Sequence, residues 1–223
     1  MKKQLAAMEG NNMKILVVGT RNAKKRQEIM AALAGWPVEV LDLTSFPAAP
    51  EVVEDRDTFE GNAAKKACEL AVALGHWVLG EDSGLVVPAL KGAPGVWSAR
   101  YAGPQHNDDD NNAKLMLEMA GQTDRRAHYV TCAAVANPAG EVVATVRGEC
   151  HGLIVQEARG AGGFGYDPYF FLPEYHKTFG ELSPAVKQAI SHRARALEKL
   201  RVALPKVIGR QASPSETASN NAP

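Results

Sequence analysis

Two adjacent carboxylates, Glu81 and Asp82, follow directly after the apolar run "HWVLG". That run is typical of a buried strand, and open α/β sheets bind their ligands at the carboxyl ends of strands. Neighbouring carboxylates repel each other, and a hard cation such as Mg²⁺ would relieve the repulsion. The structural alternative is an Asx-type turn closed by Asp82, Ser83 and Gly84. A second cluster of residues, which is suited to binding phosphate, favours the metal site, because Mg²⁺ prefers a few carboxylates together with substrate phosphate oxygens.

That second cluster, "GTRNAKKRQE", lies where a predicted buried strand, "KILVVG", gives way to a predicted helix. It places Lys24, Lys25 and Arg26 in the first helical turn, where cations oppose the helix dipole. The arrangement is favourable if an anion occupies the helix N-terminus, held by backbone N–H groups, these side chains and Thr20. A solvated basic helix start capped by Asn22 is the alternative. The cluster favours phosphate binding, but it lacks the Walker P-loop pattern.

The segment "EVVEDRDTFEGNAAKKA" adds a third group of acids at a helix start. Asp57 and Glu60 have the spacing of the N-cap and N3 residues of a capping box. Glu54 precedes the helix and is not explained by capping, so a surface charge and a metal ligand are both open for it. Lys66 follows on the predicted helix, near this acidic loop. The segment therefore supplies one candidate metal ligand with a lysine beside it.

Near the carboxyl end, "SPAVKQAISHRARALEKLRVAL" predicts one long helix with Ser183 as N-cap and Pro184 at its first position. Arg193 falls on the apolar stripe of this helix, which consists of Val186, Ile190, Leu197, Leu200 and Leu204. A charge on that stripe must be paired or face a cleft, because burying it alone is very costly. A structural ion pair is one interpretation. Convergence of Lys187, His192 and Arg193 on one cleft is the other.

The stretch "GAGGFGYDP" contains a formal G-x-G-x-x-G pattern at Gly160, Gly162 and Gly165. The dinucleotide fingerprint requires a strand before this pattern and a helix that opens on its last glycine. Pro168 biases Asp167 away from the helical region, and the aromatic run "YFFL" follows. A dinucleotide site is therefore not favoured here, and the glycines must serve a different purpose.

The elements that must position these residues alternate between strands and helices. Strand–helix–strand units at the start and a hairpin around "NPAG" in the middle predict an α/β fold with a mixed sheet. A chain of 223 residues is long enough to bury a good core. We expect one domain at residues 13–208, with polar, disordered tails at residues 1–12 and 209–223.

Composition argues against several classes of function. The chain has 25 Lys and Arg against 25 Asp and Glu, so no overall charge favours nucleic acid or a membrane surface. The three cysteines have no C-x-x-C spacing, which argues against a disulfide framework or a zinc site. No run approaches the roughly 20 apolar residues of a membrane helix. We therefore expect a cytoplasmic protein. Any binding of anions must come from a local cluster of basic residues rather than from the overall charge.

Together, these clusters strongly resemble the inosine/xanthosine triphosphate pyrophosphatases, which act on purine nucleoside triphosphates with non-standard bases. The similarity spans about Lys14 to Leu204, and several long motifs occur in the family's order. The matching positions are Thr20, Asn22, Lys25 and Glu28; Glu54; Thr58, Phe59, Asn62, Lys66 and Ala67; Asp82 to Leu85; "GAPGVWSARYAG"; "GGFGYDP"; and Lys187 with Ser191, His192 and Arg193.

The resemblance implies cleavage between the α and β phosphates of dITP, ITP or XTP, which yields the monophosphate and pyrophosphate. It also implies Mg²⁺ dependence, a homodimer, and an elongated mixed sheet with flanking helices that form two lobes around a central cleft. Glu54 and Asp82 would hold the metal, and Asp82 would be the base that activates water. The triphosphate would be held by Thr20, Arg21, Asn22, Ala23, Lys24, Lys25 and Lys66, with Ser83 beside it. The base and sugar would be held by Phe164, Gly165, Tyr166, Asp167, Lys187, His192 and Arg193.

The chain departs from the family pattern at several positions. Glu81 stands where the family often has Asp, and Gly61 stands where some members have Glu, which leaves one carboxylate fewer near the metal. Two other functions stay open: a Maf-type nucleotide pyrophosphatase acting on other nucleotides, and a non-catalytic nucleotide-binding module. The "SHR" and "FGYDP" segments argue against the first. Glu54 and Asp82 argue against the second, because binding a polyanion gains little from unpaired acids.

Overall fold

A seven-stranded mixed sheet forms the centre of the protein. The computed structural model describes residues 14–208, so the tails predicted at residues 1–12 and 209–223 lie outside the described residues. The strands are β1 (Ile15–Val18), β2 (Glu39–Asp42), β3 (Trp77–Val86), β4 (Arg126–Ala136), β5 (Val142–Ile154), β6 (Phe170–Leu172) and β7 (Lys177–Thr178). Their order across the sheet is β2-β1-β3-β4-β5-β6-β7.

The sheet changes from parallel to antiparallel at β3. β1 pairs in parallel with β2 and β3, whereas every pair from β3 to β7 is antiparallel. The pairing with β1 stops at Leu79, but β3 continues alongside β4 as far as Val86. Glu81 and Asp82 therefore lie inside a strand, because β4 continues the backbone ladder where β1 has ended. Their predicted position at a strand end and the alternative Asx-type turn are both wrong, whereas the predicted mixed sheet is confirmed.

Five α-helices flank this sheet within residues 14–208. They are α1 (Ala23–Ala32), α2 (Phe59–Leu74), α3 (Asp108–Glu118), α4 (Pro184–Ile190) and α5 (His192–Ile208). Three predicted end signals are confirmed: Asn22 caps α1, Ser183 caps α4, and Gly75 ends α2 in the left-handed conformation. Within the described part of the chain, no helix has the length and apolar character to cross a bilayer.

Two predicted helix boundaries are wrong. Thr58, rather than Asp57, is the N-cap of α2, and its Oγ1 accepts a hydrogen bond from the Gly61 N–H at 3.0 Å. Glu60 is thus not in the N3 position, and it pairs with Arg147 at 2.6 Å instead.

The predicted single helix near the carboxyl end is two helices, because the helical conformation is interrupted at Ser191. The backbone of Ser191 is extended, with ψ of 161°, and its Oγ accepts from the Ala194 N–H at 3.2 Å. Ser191 therefore caps α5, and His192 and Arg193 begin a helix rather than lie in the middle of one.

The protein has two lobes that contain three hydrophobic clusters. Two of the clusters lie on opposite faces of the sheet in one lobe, and the third forms the core of the other lobe. At the β1 end, α2 packs on one face of the sheet, and α1 and α5 pack on the opposite face. At the other end, α3 packs with the aromatic residues Tyr129, Tyr166, Phe170 and Phe179. β4 contributes side chains to all three clusters, so both lobes are built on the same sheet.

Candidate active site

A cleft of about 700 Å³ opens beside β3, where β1 gives way to α1. The predicted site residues that line it are Thr20, Arg21, Asn22, Lys25, Glu54, Lys66, Asp82 and Ser83. A neighbouring cavity of about 490 Å³ is lined by Asn22, Ala23, Lys24 and Phe164. The remaining predicted residues, which are Gly165, Tyr166, Asp167, Lys187, His192 and Arg193, line neither cavity. The structure thus brings both predicted metal ligands and most of the predicted phosphate residues together in the cleft, whereas Ala23, Lys24 and Phe164 line the neighbouring cavity.

The alternation of side chains along β3 separates the two adjacent carboxylates. Successive residues of a strand point to opposite faces. Asp82 faces α2, where its Oδ2 accepts from Asn62 Nδ2 at 3.0 Å. Glu81 faces α5, where its Oε1 accepts from Arg193 Nη2 at 2.9 Å. This separation relieves the expected repulsion, and Asp82 lines the cleft whereas Glu81 does not.

Asp82 is a buried carboxylate at the edge of the cleft, only 3% exposed. Its Oδ1 accepts from the Ser83 N–H at 2.9 Å, which fixes the orientation of the carboxylate. Burial raises the pKa of Asp82 to about 6; Lys25 and Lys66 oppose the rise, and Glu54 adds to it. A general base is most effective when its pKa lies near the working pH. Asp82 therefore has the position and the protonation behaviour of a base.

A close contact between α2 and β3 places Lys66 in the cleft. The two elements meet at Gly80, where a Cβ would lie 2.3 Å from the Ala63 carbonyl oxygen. Only glycine allows the helix to approach this closely. Lys66 Nζ then donates to the backbone carbonyl of Glu81 at 2.8 Å and lies 2.5 Å from Glu54 Oε1. Lys66 thereby holds the Glu54 carboxylate against the wall of the cleft.

The start of α1 presents positive charge to the same cleft. Asn22 Oδ1 accepts from the N–H groups of Lys24 and Lys25, at 3.0 Å each, so the capping role considered for Asn22 is confirmed. The first turn of α1 contains no acidic residue. Lys25 Nζ lies 3.1 Å from Glu81 Oε2 in an ion pair without hydrogen-bond geometry. A basic helix N-terminus of this kind is suited to an anion.

Behind the cleft, six charged side chains form a continuous ion-paired row, the charge chain: Asp167, Lys187, Glu28, Arg193, Glu81 and Lys25. Lys187 Nζ lies 2.6 Å from Asp167 Oδ2 and 3.2 Å from Glu28 Oε1. Arg193, which is 2% exposed, bridges Glu28 and Glu81. Three cations and three anions balance in this row, so the structural ion pair considered for Arg193 is confirmed.

The charge chain affects the protonation of Glu81, one of its members, and of the neighbouring His192. Burial alone would raise the pKa of Glu81, but Arg193, Lys25 and Lys66 hold the pKa of this carboxyl far below its usual range. Burial, followed by the charge of Arg193, lowers the pKa of His192 well below its usual value, so its imidazole is neutral near pH 7. The His192 ring stacks on Tyr129 at 4.7 Å between centroids. Its buried Nδ1 has no hydrogen-bond partner among the described residues.

The glycine-rich loop, Gly160–Pro168, covers one end of the charge chain. Gly163 has a φ of 77°, and a Cβ there would lie 2.0 Å from Asp167 Oδ2. Glycine is therefore required for Asp167 to accept from the Phe164 N–H at 2.8 Å. The Phe164 ring lies 4.5 Å from Lys187 Nζ. No α-helix opens on the loop, which leads into β6, so the chain lacks the geometry of a dinucleotide fingerprint here.

The carboxylates of Glu54 and Asp82 suit a divalent cation by their chemistry. Carboxylate oxygens are ligands that Mg²⁺ prefers, and both side chains line the cleft. Burial opposes ionisation of Glu54, but Lys66 and Lys25 hold its pKa below the usual value. Among residues 14–208, no group of three or more His, Cys, Asp or Glu could hold a metal by itself. These residues therefore fit a cation that takes its other ligands from substrate phosphate and water.

Sequence reasoning missed the roles of Asn62 and Arg100. Besides holding Asp82, Asn62 accepts from the Arg56 N–H at 2.9 Å, which anchors the loop before α2. Arg100 Nη2 donates to the Glu54 backbone carbonyl at 2.9 Å. A polar side chain on the buried face of a helix was a usable signal for Asn62. Nothing local distinguishes Arg100, because its partner lies 46 residues away.

The fold and the cleft together define an α/β protein that presents a basic helix N-terminus and the buried Lys66 beside a pair of carboxylates, Glu54 and Asp82. The sequence profile of the Ham1 family matches residues 16–203. The chain belongs to the Ham1 family.

Relatives of known name and structure agree with this assignment. The chain is 51% identical over 189 residues to the dITP/XTP pyrophosphatase of Rhodopirellula baltica, covering 84% of this chain and 91% of that protein. It is 50% identical over 188 residues to the dITP/XTP pyrophosphatase of Geobacter sulfurreducens, covering 83% and 94%. A HAM1 protein structure from Coxiella burnetii superposes with a TM-score of 0.80 at 36% identity, over 87% of this chain and 100% of that chain.

Proposed function

We propose that this protein hydrolyses dITP, ITP and XTP between the α and β phosphates, releasing the nucleoside monophosphate and pyrophosphate. The observation that carries the proposal is Asp82, a buried carboxylate whose pKa is raised to about 6, in the same cleft as Lys25 and Lys66. The names of the Rhodopirellula and Geobacter relatives support this substrate class. Such an activity would remove purine nucleotides with non-standard bases from the nucleotide pool.

The cations of the cleft bind the triphosphate in this mechanism. The side chains of Lys25 and Lys66, together with the positive end of the α1 helix dipole, offset the charge of the phosphate oxygens. The proposed phosphate-binding set is Thr20, Arg21, Asn22, Ala23, Lys24, Lys25, Lys66 and Ser83. Lys25 and Lys66 already pair with Glu81 and Glu54, so each is held in place before the substrate arrives.

Asp82 acts as the general base. Its carboxylate takes a proton from a water molecule as the water oxygen attacks phosphorus, and pyrophosphate leaves. Hydrogen bonds from Asn62 Nδ2 and the Ser83 N–H hold both Asp82 oxygens, which keeps the carboxylate in a single orientation. Without a bound cation, burial gives the Asp82 carboxylate a higher proton affinity than that of an exposed aspartate.

Metal dependence is a property of this class of pyrophosphatase, and we propose Mg²⁺ as the ion, with Glu54 and Asp82 as its protein ligands. When bound, Mg²⁺ neutralises charge on the phosphate oxygens. Arg100 and Lys66 hold the backbone and the carboxylate of Glu54 respectively, so this ligand is oriented from two sides.

The residues behind the cleft select the purine. Lys187 and Arg193 are donors only, so they favour the 6-oxo group of hypoxanthine or xanthine over the 6-amino group of adenine. Neutral His192 has a buried Nδ1 without a partner in the described part of the chain, and it is a further candidate for contact with the base. The full proposed set is Phe164, Gly165, Tyr166, Asp167, Lys187, His192 and Arg193.

A substrate panel with Mg²⁺ tests the proposal. ITP, XTP, dITP, GTP and ATP are each incubated with the full chain, and pyrophosphate and orthophosphate are measured separately. We expect pyrophosphate from the first three at much higher kcat/KM than from GTP or ATP. Orthophosphate release would contradict the proposed bond cleavage. Tight binding of ITP without turnover would indicate a binding module, and a preference for pyrimidine or modified nucleotides would indicate a Maf-type enzyme.

Two further expectations remain proposals. We propose that the protein acts as a homodimer, which sedimentation of the full chain would test. We also propose a cytoplasmic location, where its substrates would be found. Neither proposal is needed for the chemistry of Asp82.

A further inference from the structure

We propose that the polar N-terminal half of α3 is a positioning bracket for two loops of the active site, with Asn111 holding one loop and Asn112 and Asp108 holding the other. The loops are the segment Gly95–Gly103, which carries Arg100, and the glycine-rich loop Gly160–Pro168. The inference rests on the proposed function, because it assigns the two loops to the metal side and the base side of the same site.

The glycine-rich loop is bound to α3 through both backbone groups of Gly165. Asp108 Oδ2 accepts from the Gly165 N–H at 2.9 Å, and Asn112 Nδ2 donates to the Gly165 carbonyl at 2.9 Å. Residues four apart lie on the same face of a helix, so Asp108 and Asn112 contact one residue's backbone from two sides. Gly165 has a φ of 61°, in the left-handed region. The two bonds hold this conformation directly after Phe164, whose ring lies over Lys187.

Asn111 binds the other loop in the same manner. Its Oδ1 accepts from the Ala102 N–H at 2.7 Å, and its Nδ2 donates to the Ala99 carbonyl at 3.1 Å. Between these two residues lies Arg100, which donates to the backbone of Glu54 at 2.9 Å. Arg100 also lines the cleft. Asn111 thus orients the segment that holds a proposed metal ligand.

Packing alone does not account for two consecutive asparagines on a buried helix face. Asn111 is 2% exposed and Asn112 is 8% exposed, although asparagine is an unfavourable residue inside a helix. Asn112 Oδ1 is buried without a partner in the described part of the chain, which carries a desolvation cost. Leu115 on the same helix and Met119 directly after it are fully buried in the hydrophobic cluster. An apolar residue would therefore serve the core better than Asn112, and its bond to Gly165 is the reason for an amide at this position.

The bracket predicts different kinetic defects for two neighbouring residues. Loss of the Asn112 bond frees Phe164 and the base side, so KM for ITP rises while kcat is nearly unchanged. Loss of the Asn111 bonds frees Arg100 and the Glu54 backbone, so kcat falls. A merely structural role would lower stability in both variants without this split.

The test combines amide hydrogen exchange with kinetics on the full chain. In Asn112→Leu we expect exchange in residues 160–169 to rise about ten-fold, the equivalent of one hydrogen bond, with residues 95–103 unchanged. In Asn111→Leu we expect the reverse. Leu115→Ala is the matched control, because it removes buried apolar volume from α3 and leaves both pairs of hydrogen bonds in place. If both asparagine variants raise exchange in both loops to the same extent as Leu115→Ala, the bracket is refuted.

Asp108 provides a second variant that does not disturb the core, because its side chain is about half exposed. Asp108→Ala should raise exchange in residues 160–169, and Asp108→Asn should restore protection because it retains an acceptor oxygen. Asp110→Ala removes the same charge from the same helical turn and should leave the loop protected. Equal exchange in Asp108→Ala and Asp110→Ala would overturn the assignment. If the wild type releases no pyrophosphate from ITP, the proposed function fails, and the exchange results still decide whether α3 holds the loops.

Discussion

On one face of β3, Asp82 lines the cleft and accepts a hydrogen bond from the Asn62 side chain. On the other face, Glu81 lies in the charge chain with Arg193 and Lys25. The two carboxylates are adjacent in sequence and both are at most 3% exposed. Burial raises the pKa of Asp82 to about 6, whereas the surrounding cations hold the pKa of Glu81 far below its usual range.

The difference shows that burial alone does not decide what a carboxylate does. Desolvation opposes the charge of both groups, and the number of opposing cations decides the outcome. Asp82 keeps a high affinity for a proton and can act as a base. Glu81 stays ionised and fixes the position of Arg193, so we assign it a structural and positioning role.

The largest expected effect is on turnover in Asp82→Asn. Asparagine keeps the size of the side chain but cannot take a proton from water, so kcat should fall by about a thousand-fold. Nucleotide binding, measured by calorimetry, should be largely retained. The free energy of unfolding at pH 7 should increase, because the ionised form of Asp82 is disfavoured in the fold. Near-normal turnover would refute the assignment of Asp82 as the base.

Glu81→Gln should have its main effect on stability. The variant removes the anion that Arg193 and Lys25 share, which leaves buried positive charge uncompensated. The free energy of unfolding, measured by urea denaturation, should fall by about 3 kcal/mol. Glu198→Gln, in an exposed ion pair with Arg201, should show no measurable change. If Glu81→Gln is as stable as the wild type, the two faces of β3 do not differ as proposed.

Glu54→Gln should raise the Mg²⁺ concentration required for activity by about ten- to a hundred-fold, in the range found for losses around a metal site. The substitution removes one of the two proposed ligands and the partner of Lys66. A Mg²⁺ titration of pyrophosphate release measures the change. Asp55→Asn, at the exposed neighbouring position, is the control. An unchanged Mg²⁺ requirement would exclude Glu54 as a ligand.

The pH dependence of stability should distinguish the two faces directly. The pKa of Asp82 is raised from 3.8 to about 6, so its protonated form is favoured by folding. Its stabilising contribution is fully present below pH 3.8 and is lost as the pH rises through about 6. Relative to Asp82→Asn, the metal-free wild type should therefore lose stability between these pH values. The contribution of Glu81 has the opposite sign, because it is present above the unfolded value of 4.5 and is lost only in strong acid.

Adding Mg²⁺ sharpens that measurement. A bound cation favours the carboxylate form, so the apparent pKa of Asp82 should fall below 6 when Mg²⁺ is present. A pKa that does not respond to Mg²⁺ would show that Asp82 is not a ligand of the ion.

Features that depend on local chemistry were predictable from the sequence. Asn22 and Ser183 have the side chains of N-caps, and Gly75 tolerates the left-handed conformation at a helix end. The mixed sheet followed from short strand–helix–strand units and a hairpin. The residues of the phosphate side were predictable because a basic helix start after a buried strand is unfavourable unless an anion binds there.

Features that depend on partners far along the chain were not predictable. The opposite orientation of Glu81 and Asp82 depends on β4 extending β3 beyond the end of β1. The break before α5 occurs at Ser191, which has no proline or glycine beside it. The contact of Asn112 with Gly165 spans 53 residues. Short-range patterns contain no information about such pairs. The family resemblance assigned roles to the site residues, but it did not indicate which residues they contact.

β4 and β5 run through both lobes as strands of 11 and 13 residues, and their pairing shifts register next to the hairpin, between Val135 and Ala136. Domain hinges are normally loop or element-terminal residues that absorb large changes in φ and ψ. Here the shared strands offer no such joint, so moving one lobe against the other requires the sheet itself to twist. The width of the cleft is then an elastic property of the sheet. A bulkier purine would be resisted by the stiffness of the whole hydrogen-bonded ladder, in addition to the side chains that it meets.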